Sequence, residues 1–281
     1  MSPYLAGTAP LFNDLELLCW IDHDLATPIA LCRKPGAAGL CVAKALFPQL
    51  KQDERALSRF CNEIYLLSQI HHRNVVRSLE YIRGDGFLGF TMEYLPGGSL
   101  AALIERKAAF SVREALALVL DIASGLKAIH DLGFVHCDVK PENMLLTVSG
   151  RAKVADLGVA QPNFFGVDDG DAVAGSLEYM SPEHLVTGKC DIRSDIYSLG
   201  LIAYELLVGV RPFDSVCAKE GLRCRLHQDP PSVRELRESV PHWLDRLVAA
   251  MLSRTPELRP QSMGEVLHVI RRGRALQRIR G

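Results

Sequence analysis

Residues 134–146 read Phe-Val-His-Cys-Asp-Val-Lys-Pro-Glu-Asn-Met-Leu-Leu. The stretch sets an acid at Asp138, a cation at Lys140 and an amide at Asn143, with apolar residues on both flanks. Phosphoryl transfer from a nucleotide calls for such a set: the acid accepts the proton of the attacking hydroxyl, the cation neutralises charge on the moving group, and the amide oxygen holds a metal ion. A solvated surface turn with polar residues satisfies the same stretch. The rest of the chain decides between the two readings.

Working outward, Ser111 and Glu114 make a capping box ahead of Leu116, Val119, Ile122, Leu126 and Ile129, and Gly133 ends that helix. Pro96-Gly97-Gly98 reads as a hinge. Before it the chain is rich in strand-like runs, at Leu15–Ile21, Ile29–Arg33, Leu40–Leu46, Val76–Ile82 and Phe87–Glu93. Between the third and fourth, residues 53–71 take helical period, with Leu57, Phe60, Ile64 and Leu67 on one face. After the opening stretch, short strands fit Met144–Thr147 and Lys153–Ala155, and an irregular segment covers 156–183. Helices fit 193–209, 241–253 and 263–279. The expected boundaries are a lead-in over 1–14, a small β-rich lobe over 15–95, a larger helical lobe over 96–272 and a basic tail over 273–281. The fold class expected is α+β.

Composition sets outer limits. A chain of 281 residues with 48% hydrophobic and 23% charged residues is globular, and its net charge of −1 makes no electrostatic case for nucleic acid or membrane surfaces. None of the 8 cysteines stands in a C-x-x-C pair, which suits free thiols in a reducing compartment. The first residues lack a basic n-region and a long apolar core, and no apolar run reaches membrane-spanning length. The expected location is the cytoplasm, without the membrane anchor; nothing sets an oligomeric state.

The 134–146 stretch resembles the catalytic loop H-R-D-x-K-P-x-N of the eukaryotic-like (Hanks-type) protein kinases, which occur in bacteria as well as eukaryotes. The resemblance implies a two-lobed serine/threonine protein kinase that uses ATP with Mg2+ or Mn2+ and acts on protein substrates. It makes Asp138 the catalytic base, Lys140 the stabiliser of the moving phosphoryl group, and Asn143 and Asp156 the metal ligands. Val42-Ala43-Lys44 then supplies the phosphate-contacting Lys44, with Glu63 as its partner, although Glu54 and Glu80 are alternatives. Residues 90–98 resemble the segment that joins the lobes, so adenine is expected at the backbone of Glu93 to Leu95. Met92 would stand behind it, with Ile29, Ala43 and Leu145 around the ring. Asp156-Leu157-Gly158 stands where the family has D-F-G, and His136, Leu157, Leu67 and Leu79 would form an apolar column. Gly175-Ser176 through Pro182-Glu183 resembles the end of the activation segment, with Ser176 bridging Asp138 and Lys140. Asp195 would brace the catalytic loop, and Arg259 would pair with Glu183.

The chain departs from the family in two places. The glycines that cover the phosphates fall at Asp22, Asp24 and Thr27, and no glycine occurs between Gly7 and Gly36. That loss leaves a pseudokinase scaffold as the rival reading, with a small-molecule phosphotransferase behind it. Cys137 replaces the arginine that receives an activation-loop phosphate, and no Ser, Thr or Tyr lies between Gly158 and Gly175. Activity independent of loop phosphorylation is expected. Asp168, Asp169 and Asp171 read as a solvated turn or a phosphate mimic, and Cys137 as a buried thiol or a redox sensor. Arg271, Arg272, Arg274, Arg278 and Arg280 read as a solvated helix end or a dock for an acidic partner.

Overall fold

The computed structural model describes residues 15–22, 27–36, 39–46, 53–83, 88–107, 110–163, 177–214 and 218–280. The lead-in 1–14, Asp24, the 84–86 turn, the 168–171 run and Ser176 lie outside them. The chain divides into two compact units. One takes the chain up to His71 and again Val76–Leu95; the other takes His72–Val75 and everything from Pro96 onward.

The first unit is an antiparallel sheet with one helix. Its strands are β1 (Glu16–Asp22), β2 (Ile29–Arg33), β3 (Leu40–Leu46), β4 (Ser78–Arg83) and β5 (Leu88–Glu93), in the order β1-β2-β3-β5-β4. The helix α1 (Glu54–Gln69) starts at Asp53, whose carboxylate accepts the Arg55 and Ala56 N–H groups, and it buries Phe60, Glu63, Leu66 and Leu67. The Phe60 ring lies 5.7 Å from that of Phe90 on β5. Strand β4 starts two residues later than the apolar run suggests, because Val75 pairs with Val154 in the second unit. That start sets the faces of β4. Leu79 is 43% exposed and therefore does not enter an apolar column. Its neighbour Ser78 turns to α1 and donates its hydroxyl to the Leu67 carbonyl.

The second unit is mainly helical. It runs through α2 (Leu100–Arg106), α3 (Val112–His130), β6 (Phe134–Val135), β7 (Met144–Leu146), β8 (Ala152–Val154) and β9 (Gln161–Pro162). It continues with α4 (Pro182–Thr187), α5 (Ile192–Val208), α6 (Ala218–His227), α7 (Val233–Leu236), α8 (His242–Met251) and α9 (Met263–Arg280). Helix α5 is buried along nearly its whole length, as an all-round apolar helix must be, and packs on α3 and α8. The Ser111–Glu114 capping box opens α3. Asp121 of α3 takes Nε and Nη2 of Arg151 at 2.6 and 2.5 Å and the Ala152 N–H at 3.1 Å, which ties the β7–β8 hairpin to that helix.

Backbone hydrogen bonds hold the glycine pair after Pro96: Gly97 N–H donates to the Leu146 carbonyl at 3.0 Å, and Leu146 N–H to the Gly98 carbonyl at 2.8 Å. A Cβ on Gly97 would sit 2.5 Å from that Leu146 oxygen, so close backbone approach explains the glycine. Helix α9 runs unbroken across positions 272 and 273, and Gly273 lies against the Trp243 ring of α8. Among the described residues no helix is long and apolar enough to cross a membrane.

Candidate active site

Candidate residues occur in each unit. In the first, Lys44 of β3 places Nζ 3.0 and 2.8 Å from the two carboxylate oxygens of Glu63 on α1. Both side chains are almost wholly buried, so each charge depends on the other. Glu63 is the partner taken from among Glu54, Glu63 and Glu80; Glu80 instead reaches Lys34 at 2.5 Å.

Strand alternation sorts the remaining residues of this unit. Ile29 stands opposite Lys44, and Met92 opposite Val42, so these four share one face of the sheet. Ala43 points to the other face, where it packs with Ala30, Cys32, Cys41 and Ala45. The expectation that Ala43 lines the same site as Lys44 is therefore corrected: Val42 occupies that face. Glu93 donates its N–H to Arg77 and accepts the Arg77 N–H on its side chain. Leu95 has a buried side chain, and neither its N–H nor its carbonyl is hydrogen-bonded among the described residues. Asp22 closes β1 opposite Ile29, and Thr27 lies in the turn between them.

In the second unit the catalytic-loop stretch follows β6 and is held from beneath by Asp195, in the first turn of α5. The Asp195 carboxylate accepts the backbone N–H groups of His136 at 2.9 Å and Cys137 at 3.0 Å, and contacts His130 Nε2 at 2.8 Å. Burial alone would raise its pKa; those hydrogen bonds outweigh burial and hold the carboxyl below its usual value. The bracing bends the chain sharply, and Cys137 sits at φ +65°. Asp138 follows. Its Oδ2 receives Lys140 Nζ at 2.8 Å and Asn143 Nδ2 at 3.0 Å, and its carbonyl receives the same amide at 2.9 Å. A short turn over Pro141–Asn143 brings that amide round.

His136 joins this loop to the next segment. Its Nδ1 accepts the Asp138 N–H at 3.2 Å and its Nε2 lies 3.1 Å from the Ala155 carbonyl, an arrangement the Nε2–H tautomer satisfies. Ala155 N–H in turn donates to the Asn143 carbonyl at 2.9 Å, which brings Asp156 beside Asn143. Asp156 has φ +60°, a conformation that costs free energy outside glycine and recurs where a side chain must be aimed. Leu157 is fully buried next to it, and its carbonyl accepts the Ala160 N–H ahead of β9. Leu145 lies half-buried in β7.

The residues expected as a lock are in contact. Glu183 on α4 receives Arg259 in a two-pronged pair at 2.7 and 2.7 Å, and Ser194 adds its hydroxyl at 2.8 Å. Ser176 lies outside the described residues. Cys137 is buried against Cys190, and its sulfur accepts the Gln161 amide at 3.2 Å.

Several supports went unread in the sequence. They are His130 under Asp195, Asp121 on Arg151, Tyr179 on Glu205 at 2.6 Å, and Arg225 of α6, which holds the Leu177 and Met180 carbonyls. Each joins distant parts of the chain and carries no local motif.

The donor set suits a divalent ion. Asn143 commits its amide nitrogen to Asp138, which leaves its amide oxygen out of those two hydrogen bonds. Among the described residues no three His, Cys, Asp or Glu side chains cluster as a complete metal site. An ion held by Asn143 and Asp156 would draw its other ligands from water and phosphate.

Residues 29–269 match the model of the protein kinase domain. The match begins at Ile29, past the turn that lacks glycines. The chain is 32% identical over 251 residues to serine/threonine-protein kinase PknL of Mycobacterium tuberculosis, covering 89% of this chain and 58% of that one. It is 33% identical to pkn3 of Myxococcus xanthus over 234 residues, covering 79% and 43%. It is 33% identical to drp72 of Corynebacterium efficiens over 222 residues, covering 77% and 42%. The chain thus spans only about two fifths to three fifths of the length of these relatives. With an α+β fold that carries the Asp138–Asn143 loop and a match over nearly its whole length, the chain belongs to the protein kinase domain family, in its Hanks-type bacterial branch.

Proposed function

We propose that the chain is a serine/threonine protein kinase, moving the terminal phosphoryl group of ATP to Ser or Thr hydroxyls of protein substrates. One observation carries the reading. The Asp138 carboxylate is fixed by Lys140 and Asn143 on a loop that Asp195 braces from a buried helix. Asp138 orients the substrate hydroxyl and takes its proton. Lys140, already on Asp138, offsets charge on the transferred group. Lys44, positioned by Glu63, contacts nucleotide phosphates. Leu95 offers adenine an N–H and a carbonyl. Ile29, Met92 and Leu145 bound the ring, with Val42 in the place expected of Ala43. Asn143 and Asp156 hold Mg2+ or Mn2+, which supplies charge neutralisation on the phosphates. The kinase domain covers about residues 15–272, and the site works without phosphate on the activation segment, since Gln161 and Cys190 occupy the surroundings of Cys137. A rate increase on phosphorylation of Ser176 would contradict that last point.

The test is transfer from labelled ATP, with Mg2+ or Mn2+, to the protein itself and to myelin basic protein. Asp138→Asn, which keeps shape and loses the base, is expected to cost about 10²–10⁴-fold in kcat. A second reading, a scaffold that captures partners without chemistry, draws on Asp22, Asp24 and Thr27, which stand where the family has glycines. Folded protein that neither binds ATP nor transfers phosphate with either metal would favour it.

A further inference from the structure

Two cysteines meet beside Asp138, and phosphate transfer has no use for either. Cys137 stands between His136 and Asp138 in the loop that Asp195 braces, and Cys190 lies in the segment between α4 and α5. The two pack in one buried cluster with Val135, rimmed by the half-buried Val159 and Ile192. Each keeps 8% exposure, whereas Cys32, which faces Cys41 across β2 and β3, has none. That residual exposure admits a small oxidant, and oxidation of cysteine follows exposure and thiolate character.

Three observations separate this pair from inert buried thiols. Each S–H, a weak donor, reaches only a carbonyl: Cys137 Sγ lies 3.6 Å from the Val135 oxygen and Cys190 Sγ 4.0 Å from the Asp191 oxygen. The Gln161 amide donates to Cys137 Sγ at 3.2 Å, and a donor on sulfur lowers the cost of negative charge there. The Cys137 side chain beside it, and then burial, push the Cys190 thiol well above its usual range, so Cys190 is the partner that keeps its proton. A sulfur favoured for attack, with a protonated thiol against it to resolve the product, is the arrangement that closes to a disulfide.

We propose that Cys137 and Cys190 are a redox modification site, which a peroxide joins as a disulfide that shifts the Asp138 loop. The Cys137 sulfur attacks a peroxide oxygen and the O–O bond breaks. Cys137 becomes a sulfenic acid, and a first water leaves with its thiol proton. The Cys190 sulfur then attacks the Cys137 sulfur, and the S–O bond breaks to release a second water with the Cys190 proton. The two thiols give up two electrons and two protons, and the peroxide takes them all. The new bond draws the sulfurs to about 2.05 Å. It takes Cys137 Sγ from Gln161 and pulls on a residue whose N–H Asp195 holds and which Asp138 follows. Only the effect on phosphate transfer rests on the kinase reading. In the test, the reduced whole chain is treated with hydrogen peroxide, capped with iodoacetamide and cut with trypsin without reduction. Trypsin leaves Cys137 in 128–151 and Cys190 in 190–193. The joined mass of those two peptides is expected as the main disulfide, parted by dithiothreitol and absent from Cys190→Ser. Amide hydrogen exchange over 134–138 is expected to rise with it, a readout that needs neither a variant nor kinase activity. Phosphate transfer is expected to fall at least about tenfold and to return with dithiothreitol. Both cysteines still capped after peroxide, a Cys32–Cys41 disulfide in their place, or a joined pair with unchanged exchange would each overturn the proposal. A reduced chain that transfers no phosphate would contradict the kinase reading alone, while the masses and the exchange still decide the dithiol.

Discussion

Lys44 and Glu63 pair with almost no exposure, and a charge in that setting survives only with its counter-charge. Glu63→Gln is therefore expected to cost about 3 kcal/mol of stability, read as a lowered urea midpoint. The double replacement Lys44→Met/Glu63→Leu removes both charges and fills the space. It is expected to unfold near the wild-type midpoint while transferring no phosphate. A double variant as unstable as Glu63→Gln would show that packing, not charge, dominates this pair. The pairing itself was legible, because a lysine inside an apolar strand demands a partner and helical period puts Glu63 on the buried face of α1. The face of Ala43 was legible too, since alternation alone sets it opposite Lys44; the resemblance was followed one residue out of step. Asp195's support from His130 was not, because nothing near His130 in the chain marks it.

At the level of elements, local chemistry decided most ends. Asp53 caps α1, Ser111 and Glu114 box the start of α3, and Gly133 takes φ +81° just beyond it. Ser111→Ala is expected to lose about 1 kcal/mol, since the Glu114 N–H then has no side-chain acceptor; an unchanged thermal midpoint would refute the capping argument. Strand β4 and helices α2 and α6 were harder. Val75 and Val76 ahead of β4 are as strand-like as the residues within it, but Val75 pairs with Val154 and β4 starts at Ser78. Helix α2 is 7 residues long, too short for periodicity to register, and depends on the Ser99 cap. Helix α6 turns Arg225 inward onto two carbonyls, so its buried face does not read as apolar.

On the scale of the molecule, Glu183 and Arg259 join positions 76 residues apart. Arg259 also donates to the Ser253 and Arg193 carbonyls and lies 4.9 Å from the Tyr197 ring centre. Arg259→Ala strands Glu183 and frees those carbonyls, with an expected loss of about 3–5 kcal/mol. The pair also fixes a pH dependence. Burial would raise Glu183, but the Arg259 hydrogen bonds and charge prevail and hold its carboxyl below the usual 4.5. On acidification the unfolded chain takes up this proton first, so the contribution is complete above pH 4.5 and disappears as pH falls through the lower folded value. The stability gap between wild type and Glu183→Gln should narrow below that point; a gap constant with pH would exclude the linkage. By itself the sequence determined the α+β class, the order of the two units and the residues around Asp138, because periodicity, caps and closely spaced polar residues are short-range properties. Only the tertiary structure decided what bonds across long stretches of chain: His130 beneath Asp195, the seat of Gly97 on β7, and Arg225 on the Leu177 and Met180 carbonyls. Those contacts follow from how helices and strands pack, and packing leaves no periodic trace at the positions it joins.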